Sequence, residues 1–260
     1  MNARPKKSFG QHFLHEKRYI ERIVSAIAPR ADDHVVEIGP GEGALTLPLL
    51  RAAGRLTAIE LDTDLIPDLQ ARANSVGALQ IVQADVLTVD FTTLAQSLGA
   101  ARLRLAGNLP YYISSPILFH CVEHAAVIQD MHFMLQKEVV ERMAAEPGSK
   151  VYGRLSVMLQ LACRVEPLFT VPPGAFRPPP KVDSAVVRLV PLAAHERHDG
   201  DPERVHAIVK AAFAQRRKTL SNALKNLLDS EAIARAGIDP KARAETLAPL
   251  DFVRLAKLDD

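Results

Sequence analysis

The sequence predicts an α/β fold: a mostly parallel sheet with an antiparallel edge strand, followed by a small all-helical C-terminal domain. Three observations predict it. Short apolar runs alternate with amphipathic stretches from residue 34 to residue 135. Strands separated by helices build parallel βαβ units. Two later runs, residues 167–171 and 185–190, are joined by the proline-rich loop VPPGAFRPPPKVDS without a long helix, so they can pair antiparallel at a sheet edge. From Arg204 onward the pattern is helical, with breaks at Gly237, Pro240 and Pro249.

The elements follow in order. Residues 15–28 have a helical period, with Ile20, Ile23, Val24 and Ile27 on one side and Pro29 ending the run. Residues 34–38 (HVVEI) read as a buried strand, followed by a glycine turn and a helix over 44–52. A second strand at 55–59 leads to a helix at 62–73, and a third strand at 79–82 stops just before Asp85. A fourth, at 102–106, ends at Gly107-Asn108-Leu109-Pro110. Ser115-Pro116 has the form of an N-cap with proline at the first helical position. A fifth strand covers 131–135, and residues 153–164 read as a helix. The polar stretch HERHDGDPE separates a first domain, 1–190, from a second, 200–260.

Composition bounds the function. The chain has 260 residues, 48% of them hydrophobic and 24% charged, which excludes a disordered or collagen-like chain. Its apolar runs are too short and too often interrupted by charge to span a membrane, and its first residues lack the apolar core of a secretory signal. Cys121 and Cys163 are too few for a disulfide framework and wrongly spaced for zinc, so a reduced, cytoplasmic setting is expected and no metal. The charge of +2 is unevenly placed. Residues 1–22 carry six Lys/Arg against two acids, and residues 204–228 carry basic residues with no acid. Such stretches bind phosphate backbones or serve as solvated faces. Arg216, Arg217 and Lys218, on a helix expected over 215–228, are the candidate phosphate contacts.

Four motifs carry chemistry. Glu37-Ile38-Gly39-Pro40-Gly41-Glu42-Gly43-Ala44 lies between a strand and a helix, where glycines let the backbone turn and approach a ligand. Glu60 stands 21 positions beyond Gly39 at the end of the second strand, where an acid accepts both ribose hydroxyls of an adenosine. Both features fit a nicotinamide dinucleotide as well as S-adenosylmethionine. Asp85 is placed to accept an adenine amino group or to cap a turn.

The fourth motif, Asn108-Leu109-Pro110-Tyr111, sits where ligands of open α/β sheets bind. It suits methyl transfer to an exocyclic amine. The Asn108 side-chain oxygen and the Pro110 carbonyl can hold the two N–H groups of an adenine. That arrangement draws the nitrogen lone pair out of the ring, and Tyr111 can stack on the base. A nicotinamide oxidoreductase leaves this tetrad without a role.

With these motifs the chain resembles the ribosomal RNA adenine dimethyltransferases of the small-subunit type over nearly its whole length. The resemblance is carried by residues 7–14 (KSFGQHFL), 36–41 (VEIGPG), 108–111 (NLPY), 134–139 (MLQKEV), 176–184 (FRPPPKVDS) and 213–219 (FAQRRKT). It implies a Rossmann-like class I methyltransferase sheet and S-adenosylmethionine as methyl donor. The implied reaction is N6,N6-dimethylation of two adjacent adenosines near the 3′ end of 16S rRNA in the assembling small subunit. It further implies that His12, Leu14, Gly39, Glu60, Asp85 and Asn108 surround the cofactor, and that Phe176 clamps the target adenine against Tyr111. Where many relatives carry asparagine, this chain has His12. A monomer is expected. The competing readings are a macrolide-resistance-type methyltransferase acting on large-subunit RNA and a non-catalytic assembly factor.

Overall fold

The computed structural model describes residues 12–215 and 217–258. The chain divides into two compact units, Met1–Val140 with Glu166–Pro191, and Glu141–Val165 with Leu192–Asp260.

The first unit is organised by a seven-stranded sheet. Its strands are β2 (Val35–Ile38), β3 (Arg55–Glu60), β4 (Ala78–Gln83), β5 (Leu103–Asn108), β6 (Ile128–Gln136), β7 (Cys163–Val171) and β9 (Ser184–Pro191), in the spatial order 4-3-2-5-6-9-7. The pairs β4–β3, β3–β2, β2–β5 and β5–β6 are parallel, and β9 runs antiparallel to β6. This is the α/β sheet with an antiparallel edge that the sequence predicts. All four residues of β2 are buried, the signature of a parallel strand covered on both faces. On the outer strand β4 exposed and half-buried positions mix and none is buried. A separate two-stranded pairing joins β1 (Phe13–Leu14) to β8 (Phe176–Arg177).

Helices α1 (Lys17–Ile27), α2 (Thr46–Ala53), α3 (Ile66–Ala73), α4 (Phe91–Ser97) and α5 (Ser114–Glu123) fall where the sequence places helical runs or between its strands. Helix α1 buries Tyr19, Ile23 and Ile27, one residue per turn. Its C-terminus is tied to the sheet by Arg104, which donates to the Ile27 carbonyl at 2.7 Å and pairs with Asp130 and Asp33 at 2.8 and 2.7 Å. Helix α5 differs from expectation at its start. Its N-cap is Ile113, and Ser115 and Pro116 lie inside the first turn. Proline is tolerated there because the first amides of a helix lack an intrahelical acceptor in any case.

After α6 (Lys137–Met143) the chain enters the second unit, which also holds α7 (Arg154–Gln160), α8 (Pro202–Ala214), α9 (Leu220–Ala223), α10 (Ser230–Arg235) and α11 (Pro249–Ala256). Here the linear division at 190 and 200 needs correction. Residues 141–165, expected in the first domain, cluster with the C-terminal helices. Tyr152, Val157 and Leu161 share one core with Val205, Ile208, Leu220 and Phe252, and the Tyr152 hydroxyl donates to the Leu247 carbonyl at 2.8 Å. Helical periodicity identifies an apolar face but not the partner it packs on. The helix expected over 153–164 is also shorter, because Cys163 and Arg164 belong to β7.

The basic helix expected over 215–228 is a second correction. Helix α8 stops at Ala214, and α9 has four residues. The Leu220 and Ser221 amides donate instead to the carbonyls of Ala242 and Pro240, at 2.8 and 3.0 Å. Arg217 and Lys218 are exposed in the connection, while Arg216 lies outside the described residues, as does the leader before His12. Among the described residues, no helix is long and apolar enough to cross a membrane.

Candidate active site at the carboxyl ends of the parallel strands

The chain runs from β2 outward through β3 to β4, then crosses to β5 on the other side of β2. The carboxyl ends of β2 and β5 therefore flank a topological switch point, where open α/β sheets bind ligands. A cleft opens there. It draws Gly39 from the turn after β2, Glu60 from the end of β3, Asp85 from beyond β4 and Asn108, Pro110 and Tyr111 from the end of β5. His12 and Leu14 line it as well. Every cofactor residue expected from the sequence thus borders one cavity.

The glycine turn is shaped for close approach. Gly39, Gly41 and Gly43 have φ of +67°, +54° and +80°, a region costly for residues with a Cβ. A Cβ on Gly41 would stand 3.0 Å from the Phe13 ring, so the absent side chain is what lets β1 lie over the turn. On β5, a Cβ at Gly107 would meet the Ile38 carbonyl at 2.4 Å. That glycine lets the Asn108 loop sit directly beside the glycine turn.

Glu60 is buried, and its carboxylate is already anchored. Oε1 accepts the Asp62 amide at 2.8 Å and Oε2 the Gly41 amide at 3.2 Å. Burial raises its pKa, and these amide bonds temper the rise. A carboxylate has about four acceptor positions, so capacity for a ligand remains. Asp85 combines both roles considered for it. Its Oδ1 accepts the Leu87 amide at 3.0 Å and caps the short turn Val86–Thr88, while the residue also lines the cleft.

Asn108 has a defined orientation. Its Nδ2 donates to the His12 carbonyl at 2.9 Å, which leaves Oδ1 as the accepting end of the amide. The Leu109 amide donates to Met134 O at 3.1 Å and ties the loop to β6. The Pro110 carbonyl accepts the Ile113 amide at 3.3 Å and has a second lone pair. The Tyr111 hydroxyl lies 2.6 Å from the Ser184 Oγ, and its ring stacks on His12 with centroids 5.6 Å apart at 27°. Burial raises the Tyr111 pKa, so the phenol stays protonated. His12 Nδ1 donates to the Pro178 carbonyl at 2.7 Å. This one residue therefore links the β1 strap, the proline loop and the tetrad.

Phe176 is the exception among the expected site residues. It is 2% exposed, pairs with Leu14 through β1–β8, and packs in a core with Leu14, Ile23 and Ala175. It is absent from the cleft lining. In this arrangement the expected clamp is not formed: Phe176 pairs with Leu14 of β1 and lies in the core beside it.

Sequence reasoning assigned no role to two residues that matter here. Ser184 is fully buried and fixes the Tyr111 hydroxyl. Nothing in its local pattern marks it. Glu37 lines the cleft at 1% exposure, its Oε2 has no hydrogen-bond partner, and burial pushes its pKa up to about 8, tempered by the Thr46 hydroxyl and reinforced by the Glu60 carboxylate. A lone acid inside the apolar strand VVEI was its visible signal. An unpartnered acidic oxygen in a cleft wall suits a ligand with a cationic end. Among the described residues, no group of three or more His, Cys, Asp or Glu is arranged to hold a metal.

Comparison with known proteins agrees with this geometry. A family model described as ribosomal RNA adenine dimethylase matches residues 2–259. The curated ribosomal RNA small subunit methyltransferase A of Xanthomonas oryzae pv. oryzae is 60% identical, over 99% of this chain and 97% of its own. A dimethyladenosine transferase from Plasmodium falciparum superposes with a TM-score of 0.81 at 26% identity, covering 94% of this chain and 96% of that one. The 23S rRNA methyltransferase ErmE superposes at 0.71 with 28% identity, covering 94% and 98%.

Proposed function

This chain belongs to the ribosomal RNA adenine dimethylase family, and from that membership we propose that it dimethylates N6 of two adjacent adenosines near the 3′ end of 16S rRNA. S-adenosylmethionine is the proposed donor and the immature small subunit the proposed substrate. The observation that carries the reading is the oriented Asn108 amide, whose nitrogen is held by the His12 carbonyl at 2.9 Å.

The residues of the cleft fit this donor. The glycine turn leaves main chain open to close approach, Glu60 retains lone pairs for ribose hydroxyls, and Asp85 offers an acceptor to an adenine amine. The unpartnered Glu37 oxygen fits a cationic methionine end. His12 and Leu14 close the cleft from the strap. When bound, the donor supplies a methyl group activated by its sulfonium.

The chain's own residues then do the positioning. A target adenine must leave its stack to enter such a cleft. Asn108 Oδ1 accepts one N–H of its amino group and the Pro110 carbonyl the other. The amine lone pair is thereby turned away from the ring. Tyr111, braced by Ser184 and His12, presents its ring to the base. Alignment of this kind supplies roughly 7–11 kcal/mol. The attacked nitrogen becomes acidic as it gains a methyl, so water suffices to remove its proton. After the first transfer one N–H remains, and one acceptor is enough to hold it.

RNA phosphates are the proposed ligands of the second unit, through exposed Arg217 and Lys218 together with Arg216. The reading includes a cytoplasmic location and a monomer as acting unit.

A second reading has its own support. The ErmE likeness would suit a large-subunit RNA target. The 60% identical relatives, described as small-subunit methyltransferases, favour the first. The deciding experiment incubates the pure protein with labelled S-adenosylmethionine and unmethylated small or large subunits. Nucleoside mass spectrometry should find N6,N6-dimethyladenosine in small-subunit RNA. Label confined to large-subunit RNA would select the alternative, and no label in either would refute both.

A further inference from the structure

With Phe176 in the core, the cleft lacks the second aromatic that sequence reasoning gave it. Tyr111 is also largely committed. Its hydroxyl is fixed by Ser184, and His12 stacks against its ring. The next residue, Tyr112, differs in every respect. It lines the same cleft, yet it is 57% exposed. Leu61, at the end of β3, is a second half-exposed apolar residue on the lining. These two are the large apolar side chains left open at this mouth among the described residues.

We infer that Tyr112 is a stacking platform for the base next to the one being methylated. The inference rests on the function proposed above. Tyr112 follows Tyr111 directly in the chain and lines the same cleft. When one adenine of an adjacent pair enters the cleft, its neighbour has lost a stacking partner at that same mouth. An exposed aromatic face meets this need in single-stranded RNA whatever the base. The arrangement accounts for two tyrosines in succession with opposite surroundings. Tyr111 is half-buried and braced for the base that reacts. Tyr112 is open for the base that waits, so the pair can exchange places without full release.

The test compares Tyr112→Ala, Tyr112→Leu and Tyr112→Phe with the wild type on unmethylated small subunits. Readouts are KM and kcat, the share of RNA dimethylated at just one of the two adenosines, and calorimetric affinity for S-adenosylmethionine. Alanine and leucine should each raise KM at least about 5-fold and enrich singly modified RNA, since stacking contributes roughly that factor or more. Phenylalanine should match the wild type, and all three should bind cofactor normally, which also reports folding. If the alanine variant keeps a KM within about twofold and the same product distribution, the inference fails while the proposed function stands. Leucine performing as well as phenylalanine would also overturn it, since bulk alone would then suffice. A wild type without activity on these particles would overturn both.

Discussion

Single residues set how the molecule answers pH. Glu37 is the clearest case, an acid buried without a partner for Oε2 and pushed from an ordinary 4.5 up to about 8. The folded state holds its proton where the unfolded chain has released it. Stability from this group is therefore complete below pH 4.5 and is lost as pH rises through 8. His132 works in the opposite sense. It is 2% exposed, neither ring nitrogen has a hydrogen-bond partner, and burial depresses its pKa from 6.5 to about 4. The unfolded chain gains that proton first, so stability is lost as pH falls from 6.5 towards 4. Between pH 4.5 and 6.5 the two slopes oppose each other, and above that window the Glu37 slope remains. Urea unfolding should show falling stability from pH 6.5 to 8, of order 1 kcal/mol per pH unit. Glu37→Gln should flatten that limb. An unchanged slope in the variant would show that Glu37 is not the titrating group.

At the scale of elements, the β1–β8 pair is the device that completes the site. Two residues on each side, Phe13 with Arg177 and Leu14 with Phe176, bring the His12 carbonyl to Asn108. The strap lies close over the glycine turn, where a Cβ on Gly41 would press on the Phe13 ring, and Leu14 shares an apolar core with Phe176. Phe176→Ala should therefore behave as a core truncation, costing about 3–5 kcal/mol in urea unfolding. A base clamp would leave stability near wild type and raise KM alone, and that outcome would restore the role first assigned to Phe176. The antiparallel strand β9 contributes Ser184 to Tyr111, so the edge of the sheet also braces the site.

At the scale of the whole molecule, the sheet and most of the site were legible in the sequence. Both rest on local chemistry. Apolar strands buried on two faces read as unbroken runs such as VVEI, and Gly39, Glu60, Asp85 and Asn108 each fall at a strand's carboxyl end, which places them around one cleft before any contact is known. What escaped depends on long-range packing. Residues 153–164 read as a helix, but the whole stretch 141–165 joins the C-terminal unit through Tyr152, Val157 and Leu161. The basic run near Arg217 has helix-forming residues, yet Leu220 and Ser221 bond to the 240–242 segment and the helix breaks. Phe176 has the chemistry of a base clamp and the location of a core residue, and only the pairing of β1 with β8 decides between them.

The account turns on the Asn108 carboxamide as acceptor for the reacting amine. Asn108→Ala should lower kcat on unmethylated small subunits by about 10²–10³-fold, the usual cost of one preorganised polar contact to a reacting group. Cofactor affinity, measured by calorimetry on the same sample, should remain detectable. Nucleoside mass spectrometry is the direct readout: the wild type should yield dimethyladenosine, and the variant almost none in equal time. Dimethyladenosine formed by the variant at the wild-type rate would contradict the account at its centre.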